Sequence, residues 1–434
     1  MKKISYILLM SLFLVNIAQA QTPVPARPQS KSIVLTGGVA HLGNGQVIQN
    51  SIIAFDKGKL TLVADAATTK VDLTGHEVIN IEGKHVYPGF ILPNSQVGLQ
   101  EVSSIRAMND YTEHGEINPN VRALISYNTD TEFTATFRFN GVLLAETTPT
   151  GGLISGSSSV MEMDGWNWED AVHTADAAIH MNWPPQMRRQ FDFNTFSFSE
   201  TVNKDYDKQV KELDQFFSEA SSYGKLSSRE SNLKFEAVQG LFDGKKTLMI
   251  HASNPKEIIA SIRFAQRSGV QRITLLAGSG ALQVAEFLKE NKIPVILPDT
   301  HSLPDRTDDD IDMPYKLPHL LTEAGVMVSL SNSGALHGAR NLGFFAGTAS
   351  AYGMSKEDAL KTITSNTAKA LGIDSRVGTL EVGKDATLFV SQGDALDYRS
   401  NVLTHAFISG KLITLPGAQQ ELYERYSRKY GQMK

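Results

Sequence analysis

Cysteine is absent from all 434 residues. The chain can therefore form no disulfide in any compartment, and the thiol that lipoprotein anchoring requires is missing. The fold must stand on its apolar core alone. An apolar run long enough to span a bilayer is also lacking, since the longest candidate, Tyr6 to Ile17, falls short of the roughly 20 residues needed. A positive charge excess is absent as well. With 41 Lys and Arg against 46 Asp and Glu the formal charge is −5, which argues against a nucleic-acid partner. No Gly-rich loop with a phosphate-binding lysine occurs, because "GGLISG" lacks both the lysine and the spacing. No nucleophile-elbow motif appears either.

What is present begins with an export signal. Lys2 and Lys3 precede the apolar run, and Ala18-Gln19-Ala20 forms a small-x-small cleavage site. This predicts a Sec signal peptide over residues 1–20, cut after Ala20, and a mature protein in the bacterial periplasm or outside the cell. Removing the two lysines gives −5 − 2 = −7 for the mature chain.

The Pro-rich "QTPVPARPQS" reads as a lead-in. From Lys31 to about Ile81 the text is short alternating strands broken by turns, with Asp56-Lys57-Gly58-Lys59 as a hairpin signal. From about Tyr87, apolar runs ("YPGFIL", "GVLLAETT", "KKTLMIHA", "RITLLAG", "IPVILPD", "VMVSLS") alternate with helical stretches at Pro255–Ser268, Gly280–Asn291 and Lys356–Leu371. That alternation predicts a parallel α/β body, and a closed barrel is the expected form. Strand texture returns after Leu371. The predicted organisation is a β-sandwich part at 21–86, a barrel at 87–371, a second sandwich part at 372–417 and a C-terminal helix at 418–434, which is expected to dock on the sandwich or to form an oligomer contact through Leu422, Tyr423, Tyr426 and Tyr430.

Three phrases resemble the amidohydrolase superfamily, in particular its imidazolonepropionase-like members. "VYPGFILPNSQVGL" resembles the family's Pro-Gly-Phe-Ile-Asp-x-His-x-His passage. "NGVLLAETTPTGGLISGSSSVMEMDG" resembles a segment running from a strand through a Gly-rich turn to a metal-bridging lysine. "SKEDALKTITSNTAKALGIDSRVGTLEVGKDATLFV" is similar to the passage where the chain leaves the barrel and re-enters the β-sandwich. The resemblance implies a TIM-like (β/α)8 barrel with a composite β-sandwich built from both chain ends.

It also implies where metal ligands should stand, and most are replaced. Asn94 and Gln96 occupy the two histidine positions, Glu162 the bridging lysine, Ala277 the second late histidine, and Asn332 the aspartate that binds metal and takes the proton from the attacking water. His251 keeps a histidine position. Only Glu162 and His251 remain as strong donors and as catalytic candidates, whereas a catalytic zinc site uses three protein ligands and an open position. Without the cation nothing draws the pKa of a bound water from about 15.7 toward roughly 7.

The expectation is therefore a vacated site. Asn94, Gln96 and Asn332 are expected to fill the metal space as a network of amides, His251 to be a hydrogen-bonded core histidine, and Glu162 to lie in the pocket or at a solvated turn. No cofactor is expected; zinc, or calcium on Asn94, Gln96, Glu162 and Asn332, would be held weakly. On loops expected near the mouth, His301, Arg306, Tyr315, His337 and Arg340 are pocket candidates, each with a local pairing role as the plainer alternative.

Three functions follow. The first is an exported, non-catalytic barrel acting as a binding protein or as a subunit beside a metal-competent amidohydrolase paralogue. The second is a hydrolase of carbon–nitrogen bonds in cyclic amides or peptide-like substrates, and the third a structural envelope protein. Expected partners are a small amide or peptide-like ligand, that paralogue, or further copies of the chain; a membrane span is not among them.

Overall fold

The computed structural model describes residues 24–432 apart from 193–195, 305–307 and 333. The predicted signal peptide and Arg306 lie outside the described residues. Among those described, no helix is long and apolar enough to cross a membrane.

The first five strands are β1 (Ile33–His41), β2 (Val47–Asp56), β3 (Lys59–Asp65), β4 (Glu77–Asn80) and β5 (His85–Pro88). The β2–β3 hairpin turns at Lys57 and Gly58, with φ of 48° and 77°, the left-handed pair that a two-residue hairpin needs. The barrel strands are β6 (Phe90–Ser95), β7 (Val142–Thr147), β8 (Ile154–Glu162) and β9 (Val172–Asn182). After a separate β10–β11 ribbon (Met187–Asp192, Ser197–Val202) come β12 (Thr247–His251), β13 (Ile273–Leu276), β14 (Val295–Leu297) and β15 (Val328–Leu330). Strands β16 (Leu388–Ser391), β17 (Leu403–Ile408) and β18 (Lys411–Leu412) then return to the first sheet.

That first sheet runs β18-β17-β16-β5-β1-β2-β3, with β4 also on β1. It is composite, because β16 from the C-terminal part pairs antiparallel with β5 from the N-terminal part. Its core, including Leu35, Phe55, Leu388 and Phe407, is buried. Phe55 and Phe407, from opposite ends of the chain, meet edge to face at 4.9 Å. The second sheet runs β6-β7-β8-β9-β12-β13-β14-β15. Its seam is bridged by the peptide at Thr362 and Ile363: Leu330 N–H donates to Thr362 O at 3.0 Å and Ile91 N–H to Ile363 O at 2.9 Å. This is a TIM-like barrel with an extra sheet domain.

Four details differ from the sequence reading. "YPGFIL" is not one strand; the chain passes from the first sheet to the barrel at Gly89, where a Cβ would come within 2.9 Å of Leu143. The helical stretch Lys356–Leu371 is two helices, Lys356–Lys361 and Ser365–Leu371, because the peptide between them is used at the seam. "GGLISGSSS" is no turn beyond its two glycines. Its later residues open β8, a wholly buried strand that runs antiparallel to both neighbours. The link Thr148–Leu153 is too short for a helical crossover, which takes a dozen residues or more, and Gly151 and Gly152 (φ 94° and 61°) fold it back as a hairpin. Finally, the C-terminal helix Ala418–Lys429 lies near the helix Glu132–Phe139, with Gln419 bonded to Arg340, and leaves Tyr423, Tyr426 and Tyr430 exposed.

The two sheets are joined by buried charge. Asp385, 5% exposed, accepts from His173 Nε2 on β9 at 3.2 Å, from Arg376 Nε at 2.9 Å and from Lys59 on β3. Burial would raise its carboxyl, but the His173 and Lys59 hydrogen bonds and the Arg376 and Lys59 charges outweigh it and hold the pKa down at about 2. A folded-state pKa depressed below the ordinary 3.8 contributes stability that is complete above that value and is lost as pH falls toward 2. We predict that Asp385→Asn costs about 2–3 kcal/mol, less than the roughly 3–5 of a fully buried pair because Lys59 and Arg376 stay half exposed. Urea unfolding at pH 7 and at pH 2.5 should show this difference shrinking at the lower pH.

Candidate functional site

Strands of such barrels converge their side chains at the C-terminal ends, and a cavity of about 360 Å³ opens there. Asn94, His251, Ala277 and Asn332 line it together with Ser253 and Ser331. Four of the positions picked out in the sequence are thus brought to one place.

Beneath the cavity lies a chain of groups that sequence reasoning missed. Glu146 on β7, His180 on β9 and Ser158 on β8 are each fully buried. Glu146 Oε2 accepts the Asn94 backbone N–H at 2.8 Å, and Oε1 accepts Ser158 Oγ–H at 2.6 Å. His180 Nε2 lies 3.1 Å from the same Oε1, and its Nδ1 lies 2.9 Å from His251 Nε2. One carboxylate thereby links four strands directly and β12 through His180. Burial works to raise the Glu146 carboxyl, but the His180 ring charge and the three hydrogen bonds prevail and leave it below the usual carboxylate range. Burial, and after it the neighbouring His180, pushes His251 down to about 3. His251 is thus a neutral ring at neutral pH.

Asn94 has φ +50°, a left-handed conformation that asparagine tolerates better than β-branched residues. This bend aims its N–H at Glu146 and interrupts the strand's two-residue period. Gln96 therefore does not follow it to the cavity; it sits half-buried past the strand end, where its carbonyl accepts the Leu99 N–H at 2.9 Å. The expected amide network is not formed. Asn332 Nδ2 donates to Gly334 O and Ala335 O at 3.2 and 3.4 Å, a local loop contact.

Glu162 is not in the cavity. Because β8 is antiparallel, its last residue pairs with Leu144, toward the opposite end of the barrel, where Glu162 bonds Ser409 Oγ and meets Lys411 Nζ at 3.5 Å. It ties the barrel to the first sheet, and an oxygen site joining it to Asn94 and Asn332 is excluded by this placement. The sheet neighbour of the strand that carries His251 is β9, so His180, not Glu162, bonds His251.

The loop candidates also fall elsewhere. His301 bonds Thr348 at 2.7 Å and packs edge-on against Phe345. Tyr315 packs on Tyr352 at 5.1 Å, Arg340 bonds Gln419 at 2.8 Å, and His337 is exposed. None of these four lines the cavity. A signal for the missed groups did exist: a glutamate inside the apolar run "GVLLAETT" and a histidine inside "AAIHMN" are costly to bury unless paired.

The donor set does not fit zinc. His251 Nε2 is already bonded, Asn94 and Asn332 are neutral amides, and Ala277 donates nothing. Among the described residues no three His, Asp or Glu come close enough to share a metal ion.

A mostly parallel TIM-like barrel joined to a composite sheet domain is the class of fold that these elements define, and comparison with known proteins agrees. Residues 230–413 match the model of the Amidohydrolase family. An amidohydrolase from Thermotoga maritima MSB8 superposes with TM-score 0.75 at 22% identity, covering 88% of this chain and 99% of its own. A prolidase complexed with N-methylphosphonate-L-proline gives TM-score 0.52 at 15% identity over 88% and 99%. An adenosine deaminase from Xanthomonas campestris with bound zinc gives 0.52 at 13% over 93% and 99%. No curated protein sequence matches the chain. Residues 230–413 thus carry the sequence pattern of the Amidohydrolase family, and the fold of most of the chain is the one seen in amidohydrolase structures.

Removing one partner of a buried charged pair costs roughly 3–5 kcal/mol. Glu146→Ala is expected to lose about that much stability in chemical denaturation. Asn94→Gly should be neutral within about 0.5 kcal/mol, whereas Asn94→Val should cost about 1–2 kcal/mol through its left-handed backbone.

Proposed function

We propose that the protein is a non-catalytic amidohydrolase-superfamily barrel that binds a small uncharged ligand at the barrel mouth, either alone or as a subunit beside a metal-competent relative. One observation carries this reading: the described side chains that line the mouth are neutral, and the single strong donor among them, His251, has one nitrogen committed to His180. The cavity of about 360 Å³ falls within the range of roughly 300–1,000 Å³ typical of small-ligand sites. The N-terminal text supports export, so the ligand would be met in the periplasm or outside the cell.

The competing reading is hydrolysis of carbon–nitrogen bonds in cyclic amides or peptide-like substrates, in line with the prolidase neighbour. The Glu146–His180–His251 chain favours it, since hydrogen-bonded rings can pass a proton. A general base works best with a pKa near the operating pH, and His251 at about 3 is far from that.

Elemental analysis and zinc titration of the purified protein decide between the two, together with assays on Xaa-Pro dipeptides and cyclic amides. Substoichiometric zinc and no turnover are expected. Asn332→Asp should be equally inactive, because one restored carboxylate beside a single histidine does not complete a catalytic site. Stoichiometric, tightly held zinc or measurable turnover would make the chain an enzyme.

A further inference from the structure

We propose that the N-terminal end of the barrel, opposite the mouth, holds a binding site for a small oxyanion that carries two or more negative charges. The proposal does not rest on the reading of the mouth.

Strand β12 begins at Thr247 and β13 at Ile273, and Pro294 immediately precedes β14. These three strand starts, together with the end of the helix Ser365–Leu371, line a cavity of about 410 Å³. Its charge is one-sided. Arg272, Lys292 and Lys369 line it, no acidic side chain does, and among the described residues none of the three cations has a carboxylate partner. Like charges gathered round one cavity repel one another, in a chain whose formal charge is −5. An anion seated between them turns that repulsion into attraction.

Two further observations give the cavity a fixed donor geometry. Gly372 has φ +75°, and a Cβ there would fall 2.1 Å from Arg272 Nη2, so the guanidinium rests against bare backbone. It spends one N–H on Lys369 O at 3.4 Å and keeps the rest of its planar fork, the shape that suits an oxyanion. Thr247, independently, is 1% exposed and lines the cavity, yet its hydroxyl makes no hydrogen bond among the described residues. Buried hydroxyls are normally bonded. An oxyanion among the three cations would accept from this one.

The cation count sets the ligand class. A monovalent carboxylate leaves two of the three charges unmatched, whereas a phosphate-bearing anion or a polycarboxylate matches them. Such an anion would tie the starts of β12, β13 and β14 to the helix that follows the seam. At this face of a barrel, ties of that kind serve stability rather than chemistry.

Isothermal titration calorimetry and thermal melts of the full mature chain test this, with pyrophosphate, citrate and acetate at pH 8 and constant ionic strength. Pyrophosphate or citrate should bind saturably at one site and raise the Tm, the tighter of the two telling a phosphate ligand from a polycarboxylate; acetate should do neither. Arg272→Gln should weaken binding about tenfold, the worth of a charge-assisted hydrogen bond. Lys292→Gln, whose side chain makes no contact that the fold uses, should weaken it about threefold. Lys208→Gln, on an exposed helix face, should leave it unchanged. No binding of either multivalent anion, acetate binding as tightly, an affinity unchanged by Lys292→Gln, or an equal loss in Lys208→Gln would each overturn the proposal. Zinc uptake or turnover bears on the mouth alone, so failure there and failure here are distinguishable.

Discussion

The barrel mouth depends on one fully buried carboxylate. An unpaired charge at the position of Glu146 would cost several kcal/mol, and the fold meets that cost with donors from three different strands: a backbone N–H from the bent end of β6, a hydroxyl from β8 and an imidazole from β9. Each donor exists only if its strand is in register. The charge therefore does more than survive burial; it specifies the alignment of half the barrel. The ring of His251 is held at the far end of the same chain of bonds.

The antiparallel course of β8 explains why the site differs from the arrangement that the resemblance implied. A parallel strand after the Gly-rich turn would have carried Glu162 to the mouth. A hairpin at Gly151 and Gly152 sends it the other way, and the strand that next reaches the mouth, β9, brings His180. Around a metal, carboxylate and imidazoles would all point their lone pairs at one centre. Here they hydrogen-bond to one another in sequence, and His251 at the end of the series lines the cavity.

At the other end of the barrel, polar contacts do a different task. Asp385 binds groups from β3, β9 and the segment before β16, while Glu162 meets Ser409 and Lys411. The chain crosses between the sheets at Gly89, where the side chains of Leu143 and Thr387 leave no room for a Cβ. With no cysteine to staple the sheets, these buried ionic contacts and the Phe55–Phe407 packing hold the N- and C-terminal parts as one domain.

By itself the sequence determined the architecture. The hairpin at Asp56–Lys59, the apolar runs at β7, β12, β13, β14 and β15, and the C-terminal passage are local patterns that burial period and turn chemistry make readable. It also determined the chemical types left at the metal positions, since Asn94, Ala277 and Asn332 are neutral wherever they fold. What only the tertiary structure decided is which groups meet. The direction of β8, the left-handed turn at Asn94 that diverts Gln96, and the pairing of Glu146 with His180 across 34 residues depend on contacts between segments distant in sequence. A strand's period reveals which face is buried, but not which neighbour it lies beside or which way that neighbour runs.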